Sequence, residues 1–175
     1  ENVADANMTN ATNNVGVGYQ SLSALTTGDN CTAVGFESLK ANEDGHENDA
    51  FGAYSLTANV DGLNNVAMGT SALAANTDGS SNTAIGRAAM ESSGSPEQNV
   101  AVGHRALANC DTGTGNVAIG YQAMDAVDDD ESNNIAIGSG SMGACDQGSH
   151  ASADIDSNVA IGTNALLGGD FSAAN

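Results

Sequence analysis

The residues best suited to chemistry in this chain are carboxylates. Asp128, Asp129, Asp130 and Glu131 form an unbroken acidic run that could hold Ca2+ through oxygen ligands. The run lacks the spaced ligands and turn glycine of a helix-loop-helix calcium site, so it reads first as a solvated acidic loop and second as a cation site. No cofactor is expected otherwise. His46, His104 and His150 share no common spacing and read as isolated surface residues. Gly138-Ser139-Gly140-Ser141-Met142-Gly143 matches a dinucleotide fingerprint letter for letter. No βαβ pattern surrounds it, so the match is set aside. Acids that follow turns instead of lining a cleft do not make the paired carboxylates of a glycosidase, and an enzyme is not expected.

What positions these residues is a repeat, seen most clearly in Asn116-Val117-Ala118-Ile119-Gly120-Tyr121-Gln122-Ala123-Met124. Its glycine recurs as Gly18, Gly35, Gly52, Gly69, Gly86, Gly103, Gly120, Gly138 and Gly162, seventeen apart six times, then 18, then 24. Three before and one before the glycine stand β-formers such as Val100 and Val102, Thr83 and Ile85, or Val117 and Ile119, which share one face of a short strand. Asp49 is the departure among them. The residue between is always small, as in Ala67, Ala84, Ala101 and Ala118, and is expected at a tight contact. Four after the glycine comes Leu or Met, as in Leu73 and Leu107. Its parity differs from that of the β-formers, so the glycine is expected to bend the chain.

Four before the glycine stands Asn in eight copies, among them Asn65, Asn82, Asn99 and Asn116, with Cys31 as the exception. Identical stacked amides can bond up and down a column. Ten after the glycine a second glycine recurs, often behind Asp as in Asp44-Gly45, and reads as turn chemistry. One such unit cannot bury its own apolar face, and stacking solves that. The fold class is all-β: a parallel β-solenoid of nine mostly 17-residue coils, a rod on the order of 40 Å long at about 4.8 Å per coil. Residues 1–13 read as a degenerate lead-in, 14–124 as regular coils, and 125–175 as coils with longer inserted loops, where recognition would be sought first.

The bulk numbers agree. The 175 residues carry 3% aromatics, no Trp, one Pro and 22 Gly, a composition for a thin repeat core. A net charge of −19, with only Lys40, Arg87 and Arg105 opposing 22 acids, weighs against nucleic-acid partners and against adhesion to anionic membranes. The acidity reads first as solubility, then as cation binding. No stretch has the length of a transmembrane helix, and no signal peptide opens the chain. A start at Glu1 and ends near repeat edges are expected of a piece of something longer.

Cys31, Cys110 and Cys145 lack metal-ligand spacing and read as small buried residues. Cys110 and Cys145, two coils apart, would lie about 10 Å from each other, too far for a disulfide. Tyr19, Phe36 and Tyr121 all follow the repeat glycine, with Arg87 and His104 in the same place in other copies. Surface variation explains them first, an edge that stacks on sugars second. The Asn-x-Ser/Thr sequons at Asn7, Asn10 and Asn30 fit chance in so Asn-rich a chain.

The blocks Asn99 to Leu107, Asn116 to Met124 and Asn158 to Leu166, with the linker Thr26 to Asn30, resemble the head repeats of trimeric autotransporter adhesins (YadA-like) and the related repeats of phage tail fibres. The likeness runs from Asn13 to about Leu167. It implies a homotrimer of parallel β-rolls along a fibre axis, with the small residue before the glycine at a strand-to-strand or subunit contact. It also implies a virion tail or extracellular surface location and, as a further partner, a cell-surface glycan or receptor. The Thr-Gly-Asp-Asn style of turn favours the phage fibre. A self-assembling filament of head-to-tail solenoids is the alternative. A flat face for ice or calcium comes third, and ice binding would want an outward Thr array that these columns lack.

Overall fold

The computed structural model describes residues 10–126, 131–143 and 156–167. Nine three-residue strands run in chain order: β1 (Val15–Val17), β2 (Thr32–Val34), β3 (Asp49–Phe51), β4 (Val66–Met68), β5 (Thr83–Ile85), β6 (Val100–Val102), β7 (Val117–Ile119), β8 (Ile135–Ile137) and β9 (Val159–Ile161). They form one parallel sheet in sequence order, and the register sets each small residue beside the next, as Ala84 beside Ala101 and Ala101 beside Ala118. The chain is a parallel β-solenoid of coils about 17 residues long.

Alternation along a three-residue strand leaves one side chain pointing one way and two the other. The single one points in: Ala67, Ala84, Ala101 and Ala118 are fully buried within one chain. Their burial needs no second subunit, and of the two contacts expected there it is the strand-to-strand one that the structure shows. The β-formers on either side point out. Leu73 and Leu107 are also fully buried, so the coil interior holds one large apolar side chain per turn opposite a methyl group. Burial of each such Leu contributes about 1.5–3 kcal/mol.

The path around the glycine is tighter than a single bend. The glycine has φ between 126° and 146° in all nine copies, and the residues two and four after it are left-handed as well, with φ 50° at Leu73 and 51° at Leu107. A left-handed Leu costs on the order of 1 kcal/mol. It persists because the next coil receives its backbone: Leu73 N–H donates to Ala89 O at 3.0 Å and Leu107 N–H to Ala123 O at 2.9 Å.

The second glycine is needed for a different reason than turn conformation. Gly45 does not have a positive φ. A Cβ there would lie 2.5 Å from Asn42 Oδ1 and 2.6 Å from Gly62 O, so glycine is required for close approach.

The Asn column is a hydrogen-bonded ladder. Asn82 takes Asn65 Oδ1 with both its backbone N–H and its side-chain amide, at 3.0 Å each, and donates to Pro96 O at 2.7 Å. Asn99 and Asn116 repeat the backbone N–H bond, each to the Asn one coil before, at 3.1 and 2.7 Å. Cys31 keeps part of the pattern: its N–H donates to Asn14 Oδ1 at 2.7 Å and its thiol to Gly45 O at 3.3 Å. Cys31 and Cys110 are both buried and free, as expected, and burial pushes the Cys110 thiol up to about 12. Cys145 lies outside the described residues.

A second ladder stands seven after the glycine. Asn59 donates to Asn42 Oδ1 and Asn76 to Asn59 Oδ1, both at 2.7 Å. It stops at Ser93, leaving Asn76 Oδ1 and Ser93 Oγ buried without hydrogen bonds. The cause is three residues on, where Pro96 replaces the glycine. In the coils with Asn, a Cβ on that glycine would collide with the Asn Oδ1, so a proline and an Asn exclude each other. Ser93→Asn alone should therefore be neutral or destabilising, and Pro96→Gly alone destabilising through chain entropy. Together they should extend the ladder, with a favourable coupling of about 1–2 kcal/mol in a double-mutant cycle of urea unfolding. Additive effects would refute the exclusion.

Candidate functional site

The surface with most to offer is the outer face of the sheet. Strand alternation lays two outward columns along the whole rod: Val66, Thr83, Val100 and Val117 on one side, Met68, Ile85, Val102 and Ile119 on the other. Met68 is 41% exposed and Ile85 and Ile119 are each 38% exposed, so a continuous apolar stripe faces out. Soluble monomers seldom expose contiguous apolar patches of this kind without using them. Asp49 sits within the stripe, half-buried beside exposed Phe51.

Each border of this face carries its own chemistry. After the glycine, Tyr19 stacks on Phe36 with ring centres 5.3 Å apart, and Phe36 meets Tyr54 edge-on at 5.3 Å. The Tyr19–Phe36 pair thus spends one face of each ring within the chain. Further along, Arg87 Nη1 lies 3.0 Å from His104 Nε2, and His104 stacks on Tyr121 at 5.5 Å. His104 is thus no isolated surface residue, as its place in the sequence had led one to expect. The nitrogens His104 Nδ1 and Arg105 Nε are buried without hydrogen bonds.

The opposite border precedes the strands and is mostly polar, with exposed Leu63 as an exception. Asp29 accepts from Thr12 N–H at 2.6 Å and Thr12 Oγ1 at 2.8 Å, and these bonds hold its carboxyl below the usual range. His46 Nδ1 accepts from Asp29 N–H at 2.9 Å, which requires an unprotonated ring nitrogen there. His46 too is engaged. His150 lies outside the described residues.

Of the acidic run, Asp128, Asp129 and Asp130 lie outside the described residues. Glu131 is 1% exposed, which corrects its reading as part of a solvated loop. Its backbone carbonyl accepts from Asn116 Nδ2 at 2.6 Å, standing where other coils place a glycine carbonyl, and this draws the residue inward. Among the described residues no three His, Cys, Asp or Glu side chains gather as a metal site, and no helix is long and apolar enough to cross a membrane.

Registration on the glycine, which exposed the first Asn column, would also have exposed Asn42, Asn59 and Asn76; three copies out of nine made the signal faint. Comparisons with protein families, curated proteins and solved structures give no match to this chain.

Proposed function

We propose that this chain is a structural fibre segment: a homotrimeric β-solenoid rod that spaces or presents a receptor-binding tip on a phage tail fibre or a bacterial surface adhesin. One observation carries the reading. The inner face of the sheet is already filled by its own coil, yet the outward column one before the glycine is apolar in all nine strands, and the outward column beside it is apolar except at Thr32, Asp49 and Thr83, with much of this face exposed in a single chain. Three such faces turned to a common axis would bury Ile85, Ile119 and their columns together, leaving the acidic turns in water. The likeness of the repeat to adhesin-head and tail-fibre repeats supports a mechanical role. Location on a virion tail or outside the cell follows from that role.

Light scattering of the purified chain in saline, with and without chelator, tests it. A mass three times the 17.3 kDa chain is expected, falling to the monomer in Ile85→Lys and Ile119→Lys variants that keep their circular dichroism. A wild-type monomer would overturn the reading, and long polymers would favour the head-to-tail filament. Dissociation by chelator alone would bring in a cation.

A further inference from the structure

We propose that an ion pair between copies fixes the axial register of the rod: Arg105, with Arg87 beside it, receives Glu97 of the adjoining copy. This rests on the trimeric reading and deepens it. An apolar face that repeats every coil cannot by itself choose an alignment, because a slip of about 4.8 Å presents nearly the same columns again. Something that occurs once must choose it.

The cations are scarce enough to do so. Of the three Lys and Arg, Lys40 is held by Glu37 at 3.1 Å. Arg87 contacts an imidazole, and neither it nor Arg105 forms an ion pair among the described residues. Both lie on the border after the strands, on successive coils, one after Gly86 and two after Gly103.

Around a three-fold axis each sheet's border after the strands must adjoin the next sheet's border before them, because the rotation carries no mirror. Strands lie across the axis, so residues of the same coil meet at the same height. On the border before β4 to β8, the positions six and five before the glycine hold Leu63 and Asn64, Ser80 and Ser81, Glu97 and Gln98, Thr114 and Gly115, then Ser132 and Asn133. Glu97 is the single acid at these positions among these five coils; Asp29, Glu47 and Asp156 hold the same positions only before β2, β3 and β9. Glu97 is exposed, makes no ion pair within the chain among the described residues, and belongs to the same coil as Arg105. Between β4 and β8 the one acid before the strands and Arg105 after them therefore fall at one height, with opposite signs.

Charge exchange in the full chain tests this. Glu97→Arg and Arg105→Glu should each shift the concentration of half-dissociation, read by sedimentation, upward about tenfold with the solenoid's circular dichroism unchanged. The exchange of both in one chain should return it to within about threefold of wild type, and high salt should erase the differences. Single variants that leave a wild-type trimer undisturbed, or a double variant whose losses simply add, would overturn the ion pair while the trimer stands. The same holds if Arg105→Glu weakens binding of an added anionic sugar and leaves assembly alone. A monomeric wild type would remove the reading beneath it.

Discussion

Asn82→Ala should lower the stability of the rod by about 3–5 kcal/mol, although it removes only a small polar side chain. The substitution takes away the donor that satisfies Pro96 O and the oxygen that accepts from Asn99 N–H at 3.1 Å. Asn82 and Asn99 are essentially unexposed, so no water replaces what is lost. Each orphaned group costs about 1–3 kcal/mol, and the vacated volume adds to that. Asn82→Asp should be worse at neutral pH, because a buried carboxylate would face Asn65 Oδ1 and Pro96 O, both acceptors. Its folded-state pKa would be raised, so its penalty should be smallest at low pH and grow as pH rises above the unfolded value of about 3.9. Exposed Asn109 serves as the comparison, where Ala should cost under about 1 kcal/mol. Urea midpoints of the three variants check the order, and an Asn82→Ala midpoint equal to that of Asn109→Ala would show that the ladder carries little.

Gly69→Ala is expected to be at least as damaging, and for steric reasons. The residue has φ 136°, outside the comfortable range of any L side chain. Its Cβ would lie 2.5 Å from Gly86 O, 2.6 Å from Gly86 C and 3.0 Å from Arg87 N, all of them backbone atoms of the next coil. Relief requires two coils to separate, which breaks the sheet at that level. A loss of more than about 4 kcal/mol is expected, or separate unfolding of the two halves, since coils interact mainly with their neighbours. Gly115→Ala makes the contrast. Its φ is 72°, and its Cβ would meet a side-chain atom, Asn133 Oδ1, at 2.9 Å. That amide can rotate away, and a cost of about 1 kcal/mol is expected. Thermal unfolding followed by circular dichroism separates the two, and similar melting temperatures would show that the close approach is not rigid.

These two positions also show how far the sequence could be read. The Asn column and the repeat glycine were plain, because a position that keeps its residue type through successive coils reports a common environment in each. The candidate site was legible only in part. Tyr19, Phe36, Arg87, His104 and Tyr121 fall in one column by counting, but their ring stacks and the Arg87–His104 contact depend on rotamers that spacing does not encode. Glu131 was misread because acidic neighbours suggested solvent, whereas the ladder's need for a backbone carbonyl drew it inward.

The sequence by itself determined the period, the number and order of strands, their parallel register and the amide ladder, because in a solenoid each of these follows from residue types recurring at a fixed spacing. Which face of the sheet points inward was decided only by the tertiary structure. Alternation separates the Ala column from the Val and Ile columns without saying which is core, and hydrophobicity alone favours the larger residues. The coil is too narrow: with Leu73 or Leu107 filling its interior, only a methyl group fits opposite, so Ala84 and Ala118 turn in and Ile85 and Ile119 are left outside. That inversion leaves the apolar stripe on which the proposed assembly depends.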